Sequence, residues 1–320
     1  MILIISNKQD VTTDLVVRRL QQKSIPYLRM NTETFPLDIS CSIKVGSTGD
    51  YSEIKTPKLS IRSDQLKSIW YRRPVVPDFD SVNMPENEKE FAKRECVTFL
   101  NNLWTSMGDV KWVNDLYSSL RAEQKTLQLK TASECGLKIP ETLVSNDSDE
   151  INRFIEKNVG KVIAKPISHG SIGKNEEAAI FANSLEEYKG KIAPEDIRVS
   201  PFIIQELIEK VGDIRLTVFG QTVFAYKIVT SDTKKSIMMD WRKHEPQELA
   251  YVRCEPPVSL LDSIFNFMNR LNILYGAFDF CLSENGDWTF LEVNPSGQFA
   301  WLEIATGDRM VDALIDLLWS

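Results

Sequence analysis

The sequence predicts an α/β protein with a small N-terminal unit and a larger C-terminal part. Three observations carry that prediction. Met1-Ile-Leu-Ile-Ile-Ser6 is an apolar run followed by a helix-like stretch, Thr13 to Lys23, and a second short run, Pro26 to Met30. Strand, helix and strand in that order suggest a parallel sheet. Apolar runs and helical patterns keep alternating beyond Ser118. Near the C-terminus, two strand candidates at 276–282 and 288–293 are joined by Glu284-Asn-Gly-Asp287, a strong hairpin signal.

The elements between follow in order. Residues 41–61 alternate weakly and include Gly46 and Gly49, as a hairpin would. Ser68 to Pro74 reads as a strand ending at the proline. Residues 86–107 show Phe91, Cys96, Phe99, Leu100 and Leu103 on one broad helical face. Trp112 to Asn114 reads as a short strand and Leu120 to Cys135 as a helix stopped by Gly136. Strands are predicted at 139–144, 161–165, 201–206, 214–219 and 222–230, with Gly220-Gln221 as a hairpin turn. Helices are predicted at 149–158, 260–272 and about 308–319.

Composition excludes several function classes. The chain has 320 residues and a formal net charge of −7, so bulk attraction to nucleic acid or anionic membrane is not expected. It has no apolar run of the roughly 18 residues a membrane helix needs. The start lacks the basic, then long apolar, pattern of a signal peptide. Five scattered cysteines and two histidines argue against a disulfide framework and a zinc site. Reduced thiols and a cytoplasmic setting are expected.

The richest stretch is Phe290-Leu-Glu-Val-Asn-Pro-Ser-Gly-Gln-Phe299. Glu292 and Asn294 are two apart in a strand and so share one face. The neighbouring strand candidate carries Asp279. Three such oxygen donors suit Mg²⁺, which takes a few protein oxygens and completes its shell with water and phosphate. Lys125 and Lys165, brought together, would hold nucleotide phosphates. His169-Gly-Ser-Ile-Gly-Lys174 is a small glycine loop without the spacing of a Walker loop. In Gln205 to Val218, the strand end Glu206-Leu-Ile-Glu209 offers backbone groups for an adenine edge, and Glu209 a carboxylate for ribose hydroxyls. Arg215 and Arg242 are fixed cations for phosphate or carboxylate. Arg72, Arg73 and Asp213 are further candidates for substrate contact.

The order of Lys125, Lys165-Pro166, Gln205-Glu206, Asp213-Ile-Arg215, Asp240-Trp-Arg242, Asp279 and Glu292-Val-Asn294 resembles an ATP-grasp ligase. Trp70-Tyr-Arg-Arg-Pro74, Asn114-Asp115, Arg121-Ala-Glu-Gln-Lys125 and Asn294-Pro-Ser-Gly-Gln-Phe-Ala-Trp-Leu-Glu303 are similar to the ATP-grasp maturases of microviridins and related graspetides. Phe299 departs from that pattern, where tryptophan is expected. The resemblance implies an N-terminal pre-ATP-grasp domain (1–115), a central ATP-grasp subdomain (116–195) and a C-terminal subdomain with the metal site (196–320). It implies ATP and Mg²⁺ as cofactors, a ribosomal precursor peptide with leader and core as partner, and a homodimer. The implied reaction joins Asp or Glu carboxylates to Thr or Ser hydroxyls, or to Lys amines, through an acyl phosphate. An ATP-grasp amino-acid ligase, adding glutamate or a similar amino acid to a protein tail or small acid, shares the nucleotide residues. A nucleotide-binding regulator without catalysis is disfavoured by the intact set at 279, 292 and 294. No general base is identifiable in the sequence; Asp213 and Glu303 are candidates, and both read first as structural.

Overall fold

The computed structural model describes residues 1–47, 49–158, 161–168, 171–172, 178–179, 183–184, 199–230, 241 and 248–320. The parallel sheet expected at the N-terminus is present. Strands β1 (Ile2–Ser6), β2 (Tyr27–Asn31), β6 (Ser68–Tyr71) and β7 (Lys111–Val113) are parallel in the order β2-β1-β6-β7. Every residue of β1 is buried. Ile2 and Ile4 pack with Val16 and Leu20 of α1 (Val11–Gln22), whereas Leu3 and Ile5 pack with Leu100 and Leu103 of α2 (Glu86–Ser106). Covering both faces is what a parallel sheet requires. The expected hairpin is a three-stranded antiparallel sheet, β3 (Ser40–Lys44), β4 (Tyr51–Lys55) and β5 (Ser60–Arg62).

The helix predicted over 120–135 is two helices, α3 (Leu116–Ala122) and α4 (Lys125–Glu134). Asp115 starts the first early by accepting the N–H groups of Tyr117 and Ser118, both at 3.0 Å. At the break, the Gln128 side chain donates to the Ala122 carbonyl. Lys125 therefore begins a helix instead of lying within one.

A second sheet follows: β8 (Thr142–Ser145), β9 (Val162–Lys165), β12 (Asn183–Ser184) and β13 (Phe202–Glu206), in the order β12-β9-β13-β8. Helix α5 (Ser148–Lys157) packs beside it, and β10 (Ser171–Ile172) pairs with β11 (Ala178–Ala179). The third sheet is antiparallel and holds the chemistry. Its strands are β14 (Gly212–Phe219), β15 (Thr222–Thr230), β16 (Leu249–Arg253), β17 (Tyr275–Leu282) and β18 (Trp288–Asn294), in the order β16-β15-β14-β17-β18. Gly220 makes the β14–β15 turn with a φ of +61°.

One face of this sheet is apolar: Ile214, Leu216, Val218, Phe278 and Phe280 pack with Ile264 and Phe267 of α6 (Val258–Leu271) and with Leu129 of α4. The other face is split. At one end Phe219, Phe224 and Tyr275 meet Phe299 and Leu302 and the helices α7 (Ala300–Thr306) and α8 (Met310–Trp319). The other end carries Asp213, Arg215, Asp279 and Glu292. Strand β16 and helix α7 had no counterpart in the sequence prediction.

Candidate active site

Directly paired residues of an antiparallel sheet point to the same face. Arg215 pairs with Asp279, and Asp279 with Glu292. Asn294 lies one same-face position further along β18. The three predicted metal donors and Arg215 thus gather on the polar end of one face. Arg215 Nη1 lies 3.1 Å from both Asp279 oxygens, and the pair is buried, with side chains 7% and 9% exposed. The Asn294 side-chain oxygen accepts the Ser296 N–H at 2.9 Å. Gln128 accepts the Val293 N–H at 2.9 Å and donates to the Val293 carbonyl, which holds the backbone between Glu292 and Asn294. Among the described residues no three His, Cys, Asp or Glu side chains converge on one point. Two carboxylates and an amide oxygen are a sparse donor set of the kind Mg²⁺ accepts beside phosphate.

Asp213 is buried, but its partner is Lys210, at 2.7 and 2.8 Å, and not Arg215. Glu303 accepts the Val311 N–H and faces Arg19 at 3.6 Å, so both general-base candidates have structural partners. Cys281 lies on the same face, opposite Asp213 in register. Burial pushes its thiol up to about 12, against the pull of nearby Lys210.

The Lys125 side chain reaches the residue that follows Lys165. Lys125 Nζ donates to the Pro166 carbonyl at 3.1 Å, beside Lys165, whose Nζ donates to Gln205 at 2.9 Å. The Glu206 carboxylate accepts the Glu141 N–H at 3.3 Å, and the Leu207 N–H is taken by the Lys161 carbonyl at 3.0 Å. Ile208 follows on the same segment, half-buried. Glu209 is exposed and pairs with Lys161 at 2.7 Å, which holds its carboxyl below the usual range. Arg242, Asp240, His169 and Lys174 lie outside the described residues.

The loop Pro295–Gln298 is fixed from both ends of the chain. Arg72 is 1% exposed, pairs with Asp10 at 3.0 Å, and donates to the Ser296 and Gly297 carbonyls. Burial pulls its guanidinium pKa down, and Asp10 opposes the fall. Exposed Arg73 reaches the Ser296 carbonyl at 3.2 Å. Asn114 donates to the Pro295 carbonyl at 3.1 Å and accepts the Leu274 and Tyr275 N–H groups. Tyr275 donates to the Gly297 carbonyl at 2.6 Å, and Arg215 Nη2 to that of Gln298 at 3.2 Å. A Cβ on Gly297 would stand 2.4 Å from that of Ala277. Phe299 is 1% exposed and packs edge-on to Phe219 at 5.0 Å, so the aromatic ring at that position serves the core. Asp10, Gln128 and Tyr275 were not among the predicted residues. Only Asp10, immediately before a helix, carried a local signal.

Residues 1–119 match the MvdD pre-ATP grasp domain family. The whole chain is similar to three solved structures. A RiPP-associated ATP-grasp ligase from Chryseobacterium gregarium, in complex with ADP and a leader and core peptide, is 25% identical, with a TM-score of 0.86 over 99% of this chain and 96% of that one. The macrocyclase MdnB from Microcystis aeruginosa MRC is 27% identical, with a TM-score of 0.78 over 99% and 98%. This chain is an ATP-grasp ligase. The ligase is also similar to the ATP-grasp ligase PsnB, complexed with minimal precursor, Mg and ADP: 20% identical, TM-score 0.75, over 100% and 98%. No curated protein sequence matches it. No described helix of the ligase is long and apolar enough to cross a membrane.

Proposed function

We propose that this ligase uses ATP to close rings on a ribosomal precursor peptide. It joins Asp or Glu side-chain carboxylates to Ser or Thr hydroxyls as esters, or to Lys amines as amides. The observation that carries the reading is the row Arg215–Asp279–Glu292, with Arg215 and Asp279 buried and Glu292 half-buried, tied through Arg215 to the Pro295–Gln298 loop. The likeness to ligases solved with precursor peptides and ADP supports it.

A carboxylate at neutral pH is a poor acyl donor. Transfer of the γ-phosphoryl group makes an acyl phosphate, and a hydroxyl or amine then attacks its carbonyl carbon as inorganic phosphate leaves. This chemistry depends on positioning and charge neutralisation. Asp279, Glu292 and Asn294 would hold Mg²⁺, which when bound neutralises phosphate charge. Lys125 and Lys165 take the nucleotide phosphates. The segment Glu206 to Glu209 takes the adenine and ribose. Arg215 orients the donor carboxylate and stabilises charge during transfer, with Arg242 as its second cation. Arg72 acts at one remove by fixing the loop that Arg215 touches, and Arg73 and Asp213 border the peptide. The working form is a homodimer in the cytoplasm, a setting that suits five unpaired cysteines.

The test is intact-mass spectrometry of a candidate precursor incubated with the ligase, ATP and Mg²⁺. Loss of one water per ring, with fragment mapping of the linked side chains, is the expected result. An unchanged precursor, with ATP consumed only when free amino acids or small acids are added, would move the assignment to an amino-acid ligase.

A further inference from the structure

The polar row does not stop at Arg215. On its other side Arg215 pairs with Tyr226 of β15, and Tyr226 pairs with Arg253 of β16. The order across all five strands is Arg253, Tyr226, Arg215, Asp279, Glu292, one residue per strand on one face. Neighbouring strands are about 4.8 Å apart, so the row spans roughly 19 Å. The sequence-based candidates occupy only the Arg215–Glu292 half.

The other half opens into a cavity of about 670 Å³ lined by Tyr226, Tyr251, Arg253, Thr306 and Asp308, among others. Asp308, which follows α7, is set into this half of the row. It accepts the Tyr226 hydroxyl on one oxygen and Arg253 Nη1, at 2.9 Å, on the other. Its side chain remains 29% exposed. A carboxylate has about four lone-pair positions, so two donors fix Asp308 without exhausting its capacity to accept.

Ring closure brings two peptide side chains to one point from different directions. The donor carboxylate must meet the γ-phosphate, which places it over Arg215, next to the Asp279–Glu292 end. With the nucleotide on the Asp279–Glu292 side of Arg215, the attacking hydroxyl or amine reaches the face of the acyl carbonyl from the other side of Arg215. In this row that side is Tyr226, Arg253 and Asp308. Both acceptor chemistries, hydroxyl and amine, present a hydrogen-bond donor, and Asp308 is an oriented acceptor. We propose that this cavity is the subsite for the acceptor side chain of the precursor, with Asp308 as the group that receives it. The inference rests on the ring-closing reading of the site. Tyr226 and Arg253 are positioning residues that act through Asp308.

The test separates activation from closure. Precursor, ATP and Mg²⁺ are incubated with the ligase in the presence of hydroxylamine, which traps an activated carboxylate as a hydroxamate. Parallel reactions without it report rings by loss of water. Asp308→Asn is expected to keep precursor-dependent ADP release and hydroxamate formation within about threefold of the unmodified ligase. Ring closure is expected to fall at least about tenfold, because the lost interaction acts only in the second step. Equal loss in both steps, or no loss in closure, overturns the proposal. Should Asp308→Asn lower the thermal midpoint, Tyr226→Phe carries the test, since it removes only the hydroxyl that orients Asp308. The same split at smaller size is expected, and its absence overturns the proposal. An unmodified ligase that forms neither hydroxamate nor ring refutes the ring-closing reading itself, and this inference falls with it.

Discussion

Two buried arginines, one beside the N-terminal parallel sheet and one in the C-terminal antiparallel sheet, converge on one loop. Arg72, at the end of the N-terminal parallel sheet, pairs with Asp10 and holds the carbonyls of Ser296 and Gly297. Arg215, in the middle of the C-terminal antiparallel sheet, pairs with Asp279 and holds the carbonyl of Gln298. The devices match, but their counter-ions differ. Asp10 also caps α1 by accepting the Thr13 N–H at 2.9 Å, so it is committed to the fold. Asp279 faces Glu292 across the strand pair, so it stands at the edge of a donor set. A buried arginine becomes a candidate for chemistry when its acidic partner has a second acidic neighbour; when that partner caps a helix, it joins two parts of the fold.

The largest effect is expected at Arg72. Arg72→Ala leaves the Asp10 carboxylate buried without its cation and is expected to cost about 3–5 kcal/mol, read as a fall in the urea unfolding midpoint. An unchanged midpoint would show that Arg72 does not bear the joint. Arg215→Ala should lower ring formation by about a hundredfold or more while the folded protein persists. Undiminished turnover would remove Arg215 from catalysis and leave both arginines structural. Gly297→Ala sharpens the comparison at the shared loop. Its Cβ would collide with that of Ala277, and overpacking of this kind costs about 1–3 kcal/mol. Thermal melting that matches the unmodified ligase would mean that the loop yields freely. The smallest effect is expected far from both arginines, at exposed Glu209. Glu209→Gln should weaken ATP binding a few fold, by calorimetry, with no shift in melting, as surface ion pairs contribute little to stability. A large fall in melting temperature would contradict that surface role.

Much of this was legible along the chain. The parallel opening follows from two apolar runs around a helical stretch, and the two C-terminal hairpins from apolar runs joined by Asn-Gly or Gly-containing turns, which are local properties. Asp279, Glu292, Asn294 and Arg215 were readable because polar residues interrupting apolar strands are costly unless they have partners or a function. The break before Lys125 was hidden, because both halves favour helix and the break is held by Gln128 reaching a strand some 165 positions away. Strand β16 was hidden by its place at a sheet edge, where half-exposed residues give little alternation.

The sequence by itself determined which residues are apolar, where the chain turns, and which polar side chains share a strand face two residues apart. Only the tertiary structure decided that Asp213 answers Lys210, that Arg72 and Arg215 meet at one loop, and that Tyr226, Arg253 and Asp308 continue the row past Arg215. Cross-strand register and contacts between distant segments set those pairings, and neither is written in local periodicity.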